Sequence, residues 1–179
     1  MELTNRKTRS SQRGMSLIEL MIASLVLLVG VLGCAALIPM SIGTNSKNRQ
    51  QSNSTVIAQM TMEQITGLAQ AGAATGTITD CANNPFIINT AGSAGGSGAT
   101  LLATGAVDFS QTPAPAGYSM LYTTCGTFVG QATYDVRWNI QTPSSYVKLV
   151  TVSAQLRGSG TNQILFSLPV TIRSMVGGN

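Results

Sequence analysis

The sequence predicts an α+β fold: a long N-terminal transmembrane α-helix whose outer half packs on a small antiparallel β-sheet. Three observations carry that expectation. No charged residue occurs between Leu20 and Ser46, and Leu, Ile, Val, Met, Ala and Gly dominate from Leu17 to Ile42. That length matches the ~20 residues an α-helix needs to cross a bilayer. Beyond it, Ile57, Met60, Ile65 and Leu68 fall within one broad arc at helical spacing, with Gln59, Glu63 and Gln70 largely away from it. The last third instead alternates apolar and polar residues, the period of half-buried strands.

Taken in order, residues 1–14 are a polar, basic leader, 15–42 a transmembrane helix segment, 43–74 the amphipathic outer half of the same helix, and 75–179 a β-rich globular domain. The leader holds Arg6, Lys7, Arg9 and Arg13 against one acid, Glu2. Such clustering keeps the N-terminal side in the cytoplasm and sends the body outside. The competing reading is a removable secretory signal peptide, but the apolar run is too long and no convincing A-x-A site precedes the polar region. Gly30, Gly33 and Gly43 lie in or just beyond the second half of the span, as does Pro39. Proline removes an i to i−4 hydrogen bond, so a kink or loosened turn is expected over residues 35–39. Small residues and local give suit a helix that packs against other helices. Gly72 and the AATGT after it end the helical pattern.

In the body, residues 75–131 are rich in Gly, Ala and Thr, with Pro113 and Pro115 marking turns, so short strands or loops are expected. Tyr134, Val136, Trp138 and Ile140 then alternate with Asp135, Arg137, Asn139 and Gln141. Val150, Val152, Ala154 and Leu156 share a face of the next strand, and Ile164, Phe166, Leu168, Val170 and Ile172 a face of the last. Pro169 would break a central ladder, which makes that last strand an edge or a bulged one. Pro143–Ser145 and Gly158–Asn162 are loops short enough for an antiparallel meander. Of three cysteines, Cys34 lies in the apolar run, where a small packed thiol is the plain expectation. Cys81 and Cys125 lie in the body, and two cysteines in an exported domain point to a disulfide. It would close a loop of about 45 residues and contribute roughly 4 kcal/mol in the chain-entropy model. The alternative is two unrelated free thiols.

Composition narrows the function. Only 9% of residues are charged, low for a cytosolic enzyme, and there is no histidine. That removes Ser-His-Asp, Cys-His and zinc-water chemistry together. The few acids form no near pair of the kind used in two-carboxylate catalysis, and the cysteines lack metal-ligand spacing. The run from Ala91 to Thr100, AGSAGGSGAT, has no Lys-Ser/Thr ending and reads as a loop, not a phosphate cradle. No enzyme activity, cofactor or metal is expected. The formal charge is +4, but from Met15 onward six basic residues face five acids. Nucleic-acid binding by bulk charge therefore has little support.

The decisive motif is Gly14-Met15-Ser16-Leu17-Ile18-Glu19-Leu20, behind a short basic leader and ahead of the apolar run. It resembles the class III signal of type IV pilins and pseudopilins. The resemblance implies cleavage by prepilin peptidase between Gly14 and Met15 and N-methylation of Met15, which stands where the family usually has Phe. It also gives Glu19 the subunit-assembly position. A carboxylate in a membrane span is costly without a partner. In the family picture its partner is the new N-terminal amine of a neighbouring subunit, with the helices packed into a filament core. The alternative is an acid that serves only its own helix N-terminus and dipole.

Within that superfamily, Val29-Gly30-Val31-Leu32-Gly33 is similar to a pattern in PilV-like, pilus-modifying minor pilins and in type II secretion pseudopilins. No cysteine follows Cys125, unlike major pilins that close a C-terminal loop with a disulfide. The resemblance implies a single-pass inner-membrane protein with a periplasmic body, which then joins other pilins in a filament. The expected role is a minor pilin of a type IV pilus, with a type II secretion pseudopilin as the alternative and adhesion or DNA uptake by the body as a third. For DNA capture the only hint is Arg137 beside Trp138, with Lys148 and Arg157. Arg137 and Trp138 point to opposite faces of a strand, so a core Trp and a solvent-facing Arg are expected.

Overall fold

The computed structural model describes residues 15–125, 132–157 and 168–177. Its elements are one helix, α1 (Leu17–Gln70), and seven strands: β1 (Thr75–Thr79), β2 (Pro85–Asn89), β3 (Ser97–Gly98), β4 (Ser119–Thr123), β5 (Thr133–Ser144), β6 (Val147–Arg157) and β7 (Val170–Gly177). This is the expected α+β arrangement, one long apolar N-terminal helix and antiparallel sheets, consistent with a type IV pilin fold. The chain divides into two compact units, up to Ser46 and from Lys47 onward.

In the first unit, α1 continues through Pro39. Because proline has no N–H, the Ala35 carbonyl lacks its usual helical donor. Every described side chain from Met15 to Asn45 is exposed.

In the second unit, α1 ends in a Schellman motif. Ala73 N donates to Leu68 O at 2.9 Å and Gly72 N to Ala69 O at 3.2 Å. Gly72 has φ +69°, a left-handed position that glycine takes without a Cβ penalty. The helix here buries Ser54, Ile57, Ala58, Thr61, Met62, Ile65 and Ala69. Met60 and Leu68, expected on the buried arc, are only partly covered. The true stripe includes two hydroxyl residues because each satisfies itself on its own helix. Thr61 Oγ1 donates to Ile57 O at 2.8 Å and Ser54 Oγ to Gln50 O at 3.1 Å.

That stripe joins one cluster with Tyr134, Val136, Trp138 and Ile140 of β5, Val150, Val152, Ala154 and Leu156 of β6, and Val176 of β7. The alternation read from β5 and β6 is thus the core face. Each fully buried Val or Ile there contributes roughly 1.5–3 kcal/mol relative to exposure. Strands β5, β6 and β7 form an antiparallel meander with β7 at the sheet edge. The β5–β6 ladder shifts register between Gln141 and Ser144. Pro143 sits in that irregularity, where a missing N–H does no harm. The last strand starts at Val170, directly after Pro169, so Leu168 does not extend its apolar face and is instead exposed. Ile164, Phe166 and the loop at Gly158–Asn162 lie outside the described residues.

Strands β3 and β4 both pair with β5 on the same side: Ser97 opposite Ile140 and Gly98 opposite Asn139, then Ser119 opposite Arg137 through Thr123 opposite Thr133. Between them, residues 99–118 leave the sheet and return as a strap over its other face. Under the strap Arg137, Asn139, Thr151 and Ser153 are buried. Asn139 Nδ2 donates to Ala99 O at 2.8 Å, and an Arg173 guanidinium N–H donates to Gly105 O. Beside this sheet, β1 and β2 make a separate antiparallel hairpin.

Candidate functional site

Met15 is the first described residue and is exposed; its predicted cleavage partner Gly14 lies outside the described residues. Helix α1 begins two residues later. Ser16 O accepts from the backbone N–H of Glu19 at 3.0 Å and of Leu20 at 3.2 Å. Ser16-Leu17-Ile18-Glu19 has the spacing of a capping box, which places the carboxylate at the third helical position. That signal was readable from the sequence and explains why an acid is tolerated at this end of the helix. Glu19 is exposed and has no salt-bridge partner among the described residues.

The apolar surface behind it is uncovered. Leu17, Ile18, Leu20, Leu25, Val29 and Leu32 are each more than half exposed. At Gly30, Gly33 and Gly43 nothing lies within 4 Å of where a Cβ would be. Their small size therefore relieves no crowding inside this chain. By length and composition α1 is a helix able to cross a membrane. Cys34 is an exposed free thiol on the same segment.

The body's predicted features fall into two separate places. Cys81 and Cys125 are joined by a disulfide, with Cα atoms 5.2 Å apart. Beside it, Asp80 organises the β1–β2 turn. Its Oδ1 accepts from Ala82 N at 2.9 Å and Asn84 N at 2.8 Å, and its Oδ2 from Asn84 Nδ2 at 3.1 Å and Thr123 N at 3.3 Å. Burial opposes the charged form, but these donors outweigh it and hold the carboxyl below its ordinary value. Asn83 takes the turn's left-handed position at φ 62°.

The second place corrects an expectation. Arg137 is not solvent-facing: it is 5% exposed beneath the strap. Its Nη2 lies 2.8 Å from Asp135 Oδ2, its Nε 3.0 Å from Asp135 Oδ1, and its Nη1 2.8 Å from Gln111 O. The guanidinium also stands 5.3 Å from the Phe109 ring centroid. A side chain so fully engaged offers no free cation to a phosphate. Trp138 is the expected core residue, fully buried, and its Nε1 donates to Asn89 O at 3.1 Å. A surface cavity of about 650 Å³ includes Phe86, Met120, Leu156 and Arg157 together with Asp135 and Arg137. Its acid, Asp135, is engaged by the buried Arg137.

The chain matches the family model of the prokaryotic N-terminal methylation motif over residues 9–35. The match takes in Gly14, Met15, Glu19 and the glycines at 30 and 33, and it supports the type IV pilin and pseudopilin superfamily. No curated protein and no solved structure matches the chain. The leader motif is consistent with processing by prepilin peptidase and with pilin assembly. Together with the long apolar helix it points to membrane anchoring.

Proposed function

We propose that this chain is a minor pilin, cut by prepilin peptidase between Gly14 and Met15, methylated at Met15, and incorporated into a type IV pilus. There it contributes to assembly, priming or modification as a structural, non-catalytic subunit. The observation that carries this reading is the methylation motif set directly ahead of a helix with one acid in its first turn. The uncovered apolar surface and the three glycines with open space around them fit a helix that other pilin helices enclose. In the membrane the body would be periplasmic, with the leader in the cytoplasm.

Residues 29–33 suit a type II secretion pseudopilin equally well, so the experiment separates the two filaments. A tagged chain is produced in its own host, and the mature N-terminus is read by mass spectrometry. Sheared pili and secreted proteins are then compared between wild type and a deletion strain. The reading expects N-methyl-Met15, the tag in the sheared pilus fraction, and a loss of piliation with secretion intact. Loss of secretion with normal pili overturns the pilus assignment, and an unprocessed N-terminus overturns both.

A further inference from the structure

We propose that the strap, residues 99–118, is a lid: it lifts off the sheet in one piece on fixed ends while the core on the opposite face stays folded. The device belongs to the body and is the same whichever filament the chain joins.

The strap holds itself together. Leu101 and Val107 pair as an antiparallel bridge. Leu102 N donates to Ala106 O at 2.8 Å, Gly105 N to Leu102 O at 2.7 Å and Asp108 N to Thr100 O at 2.8 Å. The Gln111 side-chain oxygen accepts from Thr100 N at 3.0 Å, and Asp108 Oδ1 accepts from Ser110 N at 2.8 Å. All these bonds close inside the segment, so lifting it breaks none of them. Its ends are pinned, Ala99 O by the Asn139 amide and Gly117 O by Asn89 N at 2.9 Å. Each pinned end carries a glycine at positive φ, Gly98 at +100° and Gly117 at +75°, the residue type that best absorbs backbone rotation.

Between those ends the attachment is slight. Among the described residues two sheet side chains hydrogen-bond the strap there, Arg137 at Gln111 O and Arg173 at Gly105 O. Of the apolar residues from 99 to 117 only Ala99 and Val107 are buried, and neither belongs to the core cluster. The face beneath is polar, with Arg137, Asn139, Thr151 and Ser153. Local openings are drawn from segments with few buried apolar contacts. Lifting this one gives water to groups that hydrogen-bond it readily, and Arg137 keeps its partner Asp135. The closed strap thus masks a polar face with two guanidiniums, and the open strap presents it.

The test measures thiol labelling of the full chain in detergent micelles, with Cys34→Ala removing the exposed free thiol. Ser153→Cys sets a probe under the strap, and Ala154→Cys sets one on the core face of the same strand; both positions are fully buried. The Ser153→Cys thiol is expected to label on the order of a hundredfold faster than the Ala154→Cys thiol. Arg173→Met and Val107→Ala should each speed Ser153→Cys labelling on the order of fivefold. Ile65→Val loosens the helix in the core. It should speed Ala154→Cys labelling about as much and leave Ser153→Cys unchanged. Thr151→Cys is the second probe under the strap if Ser153→Cys disturbs the fold. Equal rates at the two thiols, or a Ser153→Cys rate raised by Ile65→Val, mean that the strap opens only when the whole body unfolds, and overturn the lid. Fast Ser153→Cys labelling indifferent to both Arg173→Met and Val107→Ala overturns it as well, because access then comes by another route.

Discussion

Asp80 and Thr123 are hydrogen-bonded, side-chain Oδ2 to backbone N at 3.3 Å, across 43 positions of sequence. The return bond runs beside it, from Cys81 N to Thr123 O at 3.3 Å. The turn of the β1–β2 hairpin is thus held to the end of β4 by a carboxylate and a disulfide side by side.

The Asp80 clasp makes a pH prediction with a definite sign. Its carboxyl is held below the ordinary 3.8 by its donors, so its contribution to stability is full above that value. It is lost as pH falls through the lower folded value. Asp80→Asn should therefore be less stable than wild type at neutral pH, with the difference shrinking below pH 3.8. Denaturant unfolding between pH 2 and 7 checks this; a difference that widens on acidification contradicts it.

Two buried aromatic polar atoms on β5 should respond very differently to deletion. Tyr134 Oη is buried with no well-aligned partner, and its phenol is pushed up by burial, which outweighs a weak interaction with the Asn53 side chain and the Arg49 charge. Tyr134→Phe should change stability by less than about 1 kcal/mol in either direction. Trp138→Phe orphans Asn89 O and opens space beside Tyr118, whose ring centroid lies 6.3 Å away. It should cost about 2–3 kcal/mol. Thermal melts of the two variants measure the contrast.

Removing Arg137 leaves Asp135, whose side chain is 21% exposed, without its ion-pair partner. Arg137→Met should cost about 1–3 kcal/mol, and adding Asp135→Asn should restore part of it, because an unpaired, partly buried charge costs more than no charge. A double variant no more stable than the single would place the loss in packing against Phe109 and Gln111 instead.

Glu19→Val should leave cleavage after Gly14 intact and reduce incorporation into filaments. The valine removes the one carboxylate of the span without shortening it. Mass spectrometry of the N-terminus and immunoblots of sheared filaments report the two steps separately. Normal incorporation of the variant would rule out a pairing role for the acid.

What could be read in advance followed from periodicity and motif. Tyr134, Val136, Trp138 and Ile140 alternate without interruption, and the structure buries all four. The same rule failed at Arg137, because period-2 reasoning assigns the opposite face to water and cannot foresee a strap whose Gln111 lies 26 residues away in sequence. On α1, hydrophobicity pointed to Met60 and Leu68, whereas the packed stripe includes Ala58, Thr61 and Ser54. Small and hydroxyl residues approach a sheet closely and carry their own hydrogen bonds, which a hydropathy pattern does not record. The Ser16–Glu19 spacing is legible, and it supports the alternative of an acid that serves its own helix N-terminus. The pairing of both β3 and β4 with β5 had no local signal, since Ser97–Gly98 is too short to show a period.

The strap has one further consequence. Ala99 N donates to Trp138 O at 2.9 Å, and Trp138 N donates to Tyr118 O at 3.0 Å. The segment therefore departs and arrives at the two polar groups of one residue, so its ends are neighbours whatever lies between them. Exposed side chains on it, such as Leu102, are therefore open to exchange while its ends stay fixed, whereas Phe109 and Gln111, which cover Arg137, are not.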